Sequence, residues 1–135
     1  MEYRKLYIWK ESFQVAVTVH RLFVSCKDFG FKDQISRSSV SVPSNIAEGE
    51  ERETRKESVR FLYYAKGSCG ELVTQLLLAK EFGYIGQDEA DELVVRANIV
   101  SRKIASLIKF RSGQVKESSE VYDVSEYGIS ENYQE

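Results

Sequence analysis

Residues 37–49 read Arg-Ser-Ser-Val-Ser-Val-Pro-Ser-Asn-Ile-Ala-Glu-Gly, from Arg37 to Gly49, and the assignment of this stretch decides the fold. It is polar and contains the only proline of the chain, yet it has two faces at 3.6 residues per turn. Ile35, Ser39, Val42, Ile46 and Gly49 fall on one side; Arg37, Ser41, Ser44, Asn45 and Glu48 fall on the other. Pro43 removes a backbone donor and crowds the carbonyl of Ser39, which predicts a kink in a helix from Asp33 to Gly49. The rival is a short strand, Val40 to Val42, stopped by the proline. Local pattern favours the helix by a small margin.

The surroundings add to that margin. One proline and eight glycines in 135 residues leave few breaks, which suits long helices better than a many-stranded sheet. Upstream, Lys27 to Asp33 reads as a connector turning at Gly30, and downstream Gly49 reads as a helix cap before a charged link, Glu50 to Glu53. Thr54 and Glu57 form a capping box for a third helix. Its stripe, Leu62, Ala65, Cys69, Leu72, Leu76 and Ala79, runs at alternating three and four spacing to a cap at Gly83. The small residues at its centre, Gly67 and Gly70 among them, predict close approach of a neighbouring helix; a ligand against the backbone is the alternative.

The first helix spans Trp9 to Cys26, with apolar stripes at Trp9, Phe13, Ala16, His20, Phe23 and at Ile8, Val15, Val19, Leu22, Cys26. So wide an arc predicts a second contact, most simply another subunit; deep burial within its own domain is the rival. A fourth helix follows Gln87, with Leu93, Ala97, Val100, Ile104 and Leu107 as its core stripe and acidic residues at its positive end. Short links between long amphipathic helices predict an all-α, antiparallel up-down-up-down four-helix bundle over residues 1–111. Residues 112–135 lose the pattern and read as an acidic flexible tail.

Charge divides the same way. Residues 1–110 sum to +2 and residues 111–135 to −4, so the body is close to neutral. That is not the polybasic signature of a dedicated nucleic-acid domain. The uncharged stretch between Arg37 and Glu48 is far too short to span a bilayer, and the N-terminus has no export pattern, so a cytoplasmic protein without membrane contact is expected. Cys26 and Cys69 stand alone and read as buried thiols.

No enzymatic constellation is visible. His20 is the only histidine and lies on an apolar stripe, so it reads as a core residue rather than a base. A two-metal bundle needs Glu-x-x-His on two helices, which one histidine excludes. No glycine-rich nucleotide fingerprint occurs, and no cofactor or metal is expected. The polar stripe Arg37, Ser41, Asn45 and Glu48 has two readings: a buried network that satisfies itself, or a contact for a partner, with Arg37 on a phosphate.

Three segments resemble the four-helix-bundle proteins encoded by intervening sequences inside bacterial 23S ribosomal RNA genes. They are Arg37-x3-Ser41-x-Pro43-Ser44-Asn45-Ile46-Ala47-Glu48-Gly49, Phe61-Leu62-x2-Ala65-x-Gly67-Ser68-x2-Glu71-Leu72, and Gly83-Tyr84-Ile85, with Trp9 also fitting. The likeness covers about Tyr7 to Phe110. It implies a homopentameric ring without enzymatic activity. It also implies kinship with accessory proteins of diversity-generating retroelements, which bind nucleic acid and associate with a reverse transcriptase. The expected function is therefore a non-enzymatic accessory protein contacting RNA or DNA backbone, a reverse-transcriptase-type partner, or both. A protein-interaction scaffold without nucleic acid is the alternative. Outer cations able to meet phosphate are Lys10, Arg21, Arg52, Arg55, Lys56, Arg60, Arg96, Arg102, Lys103 and Lys109.

Overall fold

The computed structural model describes residues 2–118. A 3-10 turn, Glu2–Lys5, leads into four helices: α1 (Tyr7–Phe23), α2 (Phe29–Glu50), α3 (Arg55–Phe82) and α4 (Gln87–Ser118). The stretch that decides the fold is helical. α2 runs unbroken over Pro43, and Ile35, Ser39, Val42, Ile46 and Gly49 are all buried. Tertiary packing overrides weak propensity here, because the buried serines find acceptors. Ser38 donates to the Ile35 carbonyl and to Gln75 Oε1, and Ser39 donates to the Ser36 carbonyl.

Two layers of core fix the direction of each helix. One layer joins Ile8 of α1, Ile46 of α2, Val59 and Leu62 of α3, and Ile104 and Ile108 of α4. The other joins Phe23, Ile35, Leu76, Ala79 and Leu93. The early end of α1 therefore sits with the late end of α2, the start of α3 and the end of α4, which is the antiparallel up-down-up-down arrangement. Each helix packs on its sequence neighbours, and α1 closes the square against α4.

The Gly83 cap and the Thr54 half of the capping box form as the sequence predicts, while the Glu57 side chain pairs with Arg60 instead of the Thr54 amide. Thr54 Oγ1 accepts from the Glu57 amide at 3.1 Å, and Gly83 caps the helix with φ of 77°. Only a residue tolerant of the left-handed region fits there.

Several expectations fail, each for a local reason. α2 begins four residues before Asp33, because the Asp28 carboxylate accepts from the Phe31 amide at 3.1 Å and caps the helix; Gly30 lies inside its first turn. Gly49 is a packing position rather than a cap. A Cβ there would stand 3.1 Å from Phe61 Cβ and 3.2 Å from the Ser58 carbonyl oxygen, so α2 and α3 meet where only glycine fits. Gly67 and Gly70 are the reverse: both are exposed, with nothing of this chain within 4 Å of an added Cβ. His20 is exposed, and Cys26 is only half-buried. Cys69 is buried, and burial pushes its thiol up to about 12. The fourth helix does not end at Arg111 but runs to Ser118, with Arg111 and Ser112 buried. The tail expected from residue 112 thus starts within helix, and residues 119–135 lie outside the described residues.

The two glycine classes make opposite predictions. Within a single bundle, where nothing meets an added Cβ, Gly67→Ala should stabilise the fold by about 0.5–1 kcal/mol, the usual gain of alanine over glycine inside a helix. Gly49→Ala should destabilise by about 1–3 kcal/mol through overpacking. Urea denaturation of the two variants checks the pair; equal shifts would mean that the α2–α3 contact is misplaced.

Candidate nucleic-acid interface

The family-signature residues separate into packing and surface groups. Ser41 and Ser68 hydroxyls meet at 2.8 Å across α2 and α3, and Asn45 Nδ2 donates to both the carbonyl and the hydroxyl of Ser41 at 2.9 Å. With Gly49, these residues form a close α2–α3 seam, while Pro43 faces α1. Arg37 and Glu48 do not join it. Arg37 is exposed and 3.5 Å from Asp33, and Glu48 is 3.8 Å from Arg52. The network expected from the polar stripe is therefore real at Ser41 and Asn45 and absent at its two charged members. Gly67 and Glu71 are exposed on the outside of α3.

The ten candidate cations also divide. At the start of α3, Arg52 lies 4.5 Å above the Phe61 ring and faces Glu48, while Arg60 donates to Tyr64 Oη at 2.8 Å and pairs with Glu57 at 3.5 Å. Arg55 and Lys56 are exposed beside them, in a region that also carries Glu50, Glu51 and Glu53. This corner is close to neutral. Arg96 is half-buried and donates to Glu11 Oε1 at 2.6 Å, so it ties α4 to α1 rather than facing solvent. Lys10 and Arg21 are exposed on α1.

The remaining three, Arg102, Lys103 and Lys109, are exposed on α4, with Arg102 and Lys109 in line two turns apart and Lys103 about 100° round the helix, toward Tyr7 of α1. From Leu93 to Lys116 the chain has six Lys or Arg and no Asp or Glu. Arg96 and Arg111 are consumed by Glu11 and Glu50, which leaves Arg102, Lys103 and Lys109 without an acidic partner among the described residues. Lys103 Nζ stands 5.0 Å over the Tyr7 ring, and Tyr7 itself is half exposed. Lys10 follows Tyr7 by three residues on the same side of α1, and Phe110, 63% exposed, lies two turns beyond Lys103 on the same line of α4. Cations and exposed rings beside an acid-free run of α4 can meet phosphates and stack bases. The signal was present in the sequence as the acid-free run of α4, which overall charge hides.

Below this face, Arg111 holds the end of α4. Its guanidinium donates bidentately to Glu50 and, at 2.7 Å, to Ser58 Oγ, all in largely buried surroundings. At the opposite end of the bundle, Tyr84 Oη donates to Asp28 Oδ2 at 2.6 Å. That bond, with the Phe31 amide, holds the Asp28 carboxyl below its ordinary range.

A sequence profile of the 23S rRNA-intervening sequence proteins matches residues 4–106. The chain belongs to this family. Its bundle is also similar to a solved structure, a protein of unknown function from the S23 ribosomal protein family of Bacteroides thetaiotaomicron. The TM-score is 0.71 at 24% identity, covering 76% of this chain and 98% of that one. At that identity the likeness concerns the fold. No curated protein matches the sequence. Intervening-sequence membership agrees with the segments around Ser41 and Ser68, whose side chains touch in the seam. Among the described residues no helix is long and apolar enough to cross a membrane, and no group of three His, Cys, Asp or Glu could hold a metal ion.

Proposed function

We propose that this intervening-sequence protein is a non-enzymatic, homo-oligomeric accessory protein that binds nucleic acid backbone through the outer face of α4. The observation that carries the reading is the set Arg102, Lys103 and Lys109, without an acidic partner among the described residues, on a stretch of α4 that has no carboxylate and that meets Tyr7 through Lys103. A surface of that kind reads charge and stacking rather than sequence, so RNA and DNA are both substrates for it. A ring multiplies the patch: a body of +2 becomes +10 in a pentamer. The resemblance to retroelement accessory proteins supports the pentamer and a reverse-transcriptase-type partner.

A scaffold without nucleic acid is the second reading. It is favoured by an open apolar groove of about 610 Å³ between α1 and α2, lined by Trp9, Phe13, Val17, Val40 and Pro43. That groove is where the excess apolar arc of α1 goes. Anisotropy of a labelled RNA hairpin separates the two readings. The accessory reading expects saturable binding that weakens by orders of magnitude between about 50 and 200 mM salt. Absence of binding at the lower salt would leave the scaffold.

A further inference from the structure

The groove between α1 and α2 is apolar and open, with Arg21 in its lining and Lys10 exposed on the α1 side, and with Glu48, paired to Arg52, one turn past Ser44 on the α2 side. Phe13 and Val40, on its two walls, are 43% and 55% exposed. Lys10 and Arg21 stand along α1 with no acidic partner among the described residues. The only acid of α1, Glu11, is turned toward α4, where it accepts from Arg96. A helix with apolar knobs and unpaired carboxylates would complement this surface in shape and in charge.

Such a helix exists on the far side of the same molecule. The outer face of α3 has Leu77 and Leu78 at 44% and 42% exposure. Glu71 and Glu81 flank them, exposed and without an ion pair among the described residues. One or two turns earlier, Gly67 and Gly70 leave the helix surface bare, with nothing of this chain within 4 Å of an added Cβ. A glycine costs about 1 kcal/mol inside a helix, and two of them on an outward face gain nothing from this chain's own packing.

We propose that the α1/α2 groove receives the outer face of α3 from a second copy of this chain. This deepens the oligomeric reading above and rests on it. The groove and the α3 face are different surfaces on different sides of the bundle, so the contact is head-to-tail. A head-to-tail contact uses every groove and every face only when the chain of copies closes into a ring. Leu77 and Leu78 enter the groove against Phe13 and Val40, Glu71 and Glu81 approach the Lys10 and Arg21 rim, and Gly67 and Gly70 let the helix backbones come close.

Sedimentation of two single variants and their mixture tests the arrangement. Phe13→Asp spoils the groove and keeps the α3 face; Leu78→Asp spoils the face and keeps the groove. Each alone should fall from the wild-type assembly to the 15.5 kDa monomer, with helicity unchanged and the melting temperature lowered by the loss of the assembly. Mixed in equal amounts and concentrated, they should form a heterodimer of twice that mass and nothing larger. If Phe13→Asp loses its fold with the Trp9 ring contact, Val40→Asp on the other wall takes its place. Variants that keep the wild-type mass, or a mixture that stays monomeric, would overturn the head-to-tail contact while leaving the oligomer itself standing. A monomeric wild type would overturn both.

Discussion

Arg111→Ala should lower the stability of the bundle by about 3–5 kcal/mol, the usual result of removing one partner from a buried ion pair. The Arg111 and Glu50 side chains are only 11% and 16% exposed, and Ser58 completes the cluster at 2.7 Å. Without the guanidinium, the Glu50 carboxylate stays only 16% exposed and loses its direct cation, with Arg52 and Arg55 on the wall of the same cavity as the remaining positive charge. The loss should appear as a fall in melting temperature on the order of 10 °C or more. Arg111→Lys should recover only part of it, since an ammonium cannot make the paired contacts that the planar guanidinium makes with Glu50. Replacing both partners, Glu50→Leu with Arg111→Met, should be milder than either single loss, because no charge is then left buried. Wild-type melting of Arg111→Ala would mean that the end of α4 is not docked against α2 and α3.

That cluster also shows where sequence reasoning loses resolution. The α3 helix was legible to within a residue, because Thr54, Glu57 and Gly83 are local signals whose chemistry is completed within a few residues. Arg111 and Glu50 read as a helix-end charge and part of a solvated link. Their partners are 61 positions apart, and no local pattern marks them as a pair. Ser112, buried beside Arg111, hid the continuation of α4 for the same reason. The glycines failed differently. Gly49, Gly67 and Gly70 all signal room for a neighbour, but only the helix orientation tells which face the room is on. The wide apolar arc of α1 was legible, and its outer part lines the groove with α2 rather than a core. His20 lies on that arc and is exposed for that reason.

The candidate interface was only half legible. All ten cations were visible as outer positions, but nothing local ranks residues that the fold treats unequally. Arg96 is spent on Glu11, and the cations around Arg60 share their surface with acids. Replacing Arg102, Lys103 and Lys109 together by Gln should therefore have the larger effect on binding. Each lost phosphate contact takes about 0.9 from the slope of log affinity against log salt on duplex DNA, somewhat less on single strands. Three contacts are worth about 2 to 3 in that slope. The three side chains are exposed and without an acidic partner among the described residues, so folding and oligomer mass should not change. Arg96→Gln should do the reverse, loosening α1 from α4 with little effect on the slope, because its guanidinium is already engaged.

The most direct measurement is the salt dependence of binding to one RNA hairpin by the wild-type protein and by the Arg102, Lys103 and Lys109 triple Gln variant. The wild type should show a steep linear fall of log affinity with log salt, and the variant a slope shallower by about 2 to 3 at unchanged melting temperature. Identical slopes for the two proteins would place the nucleic-acid contact elsewhere than the outer face of α4.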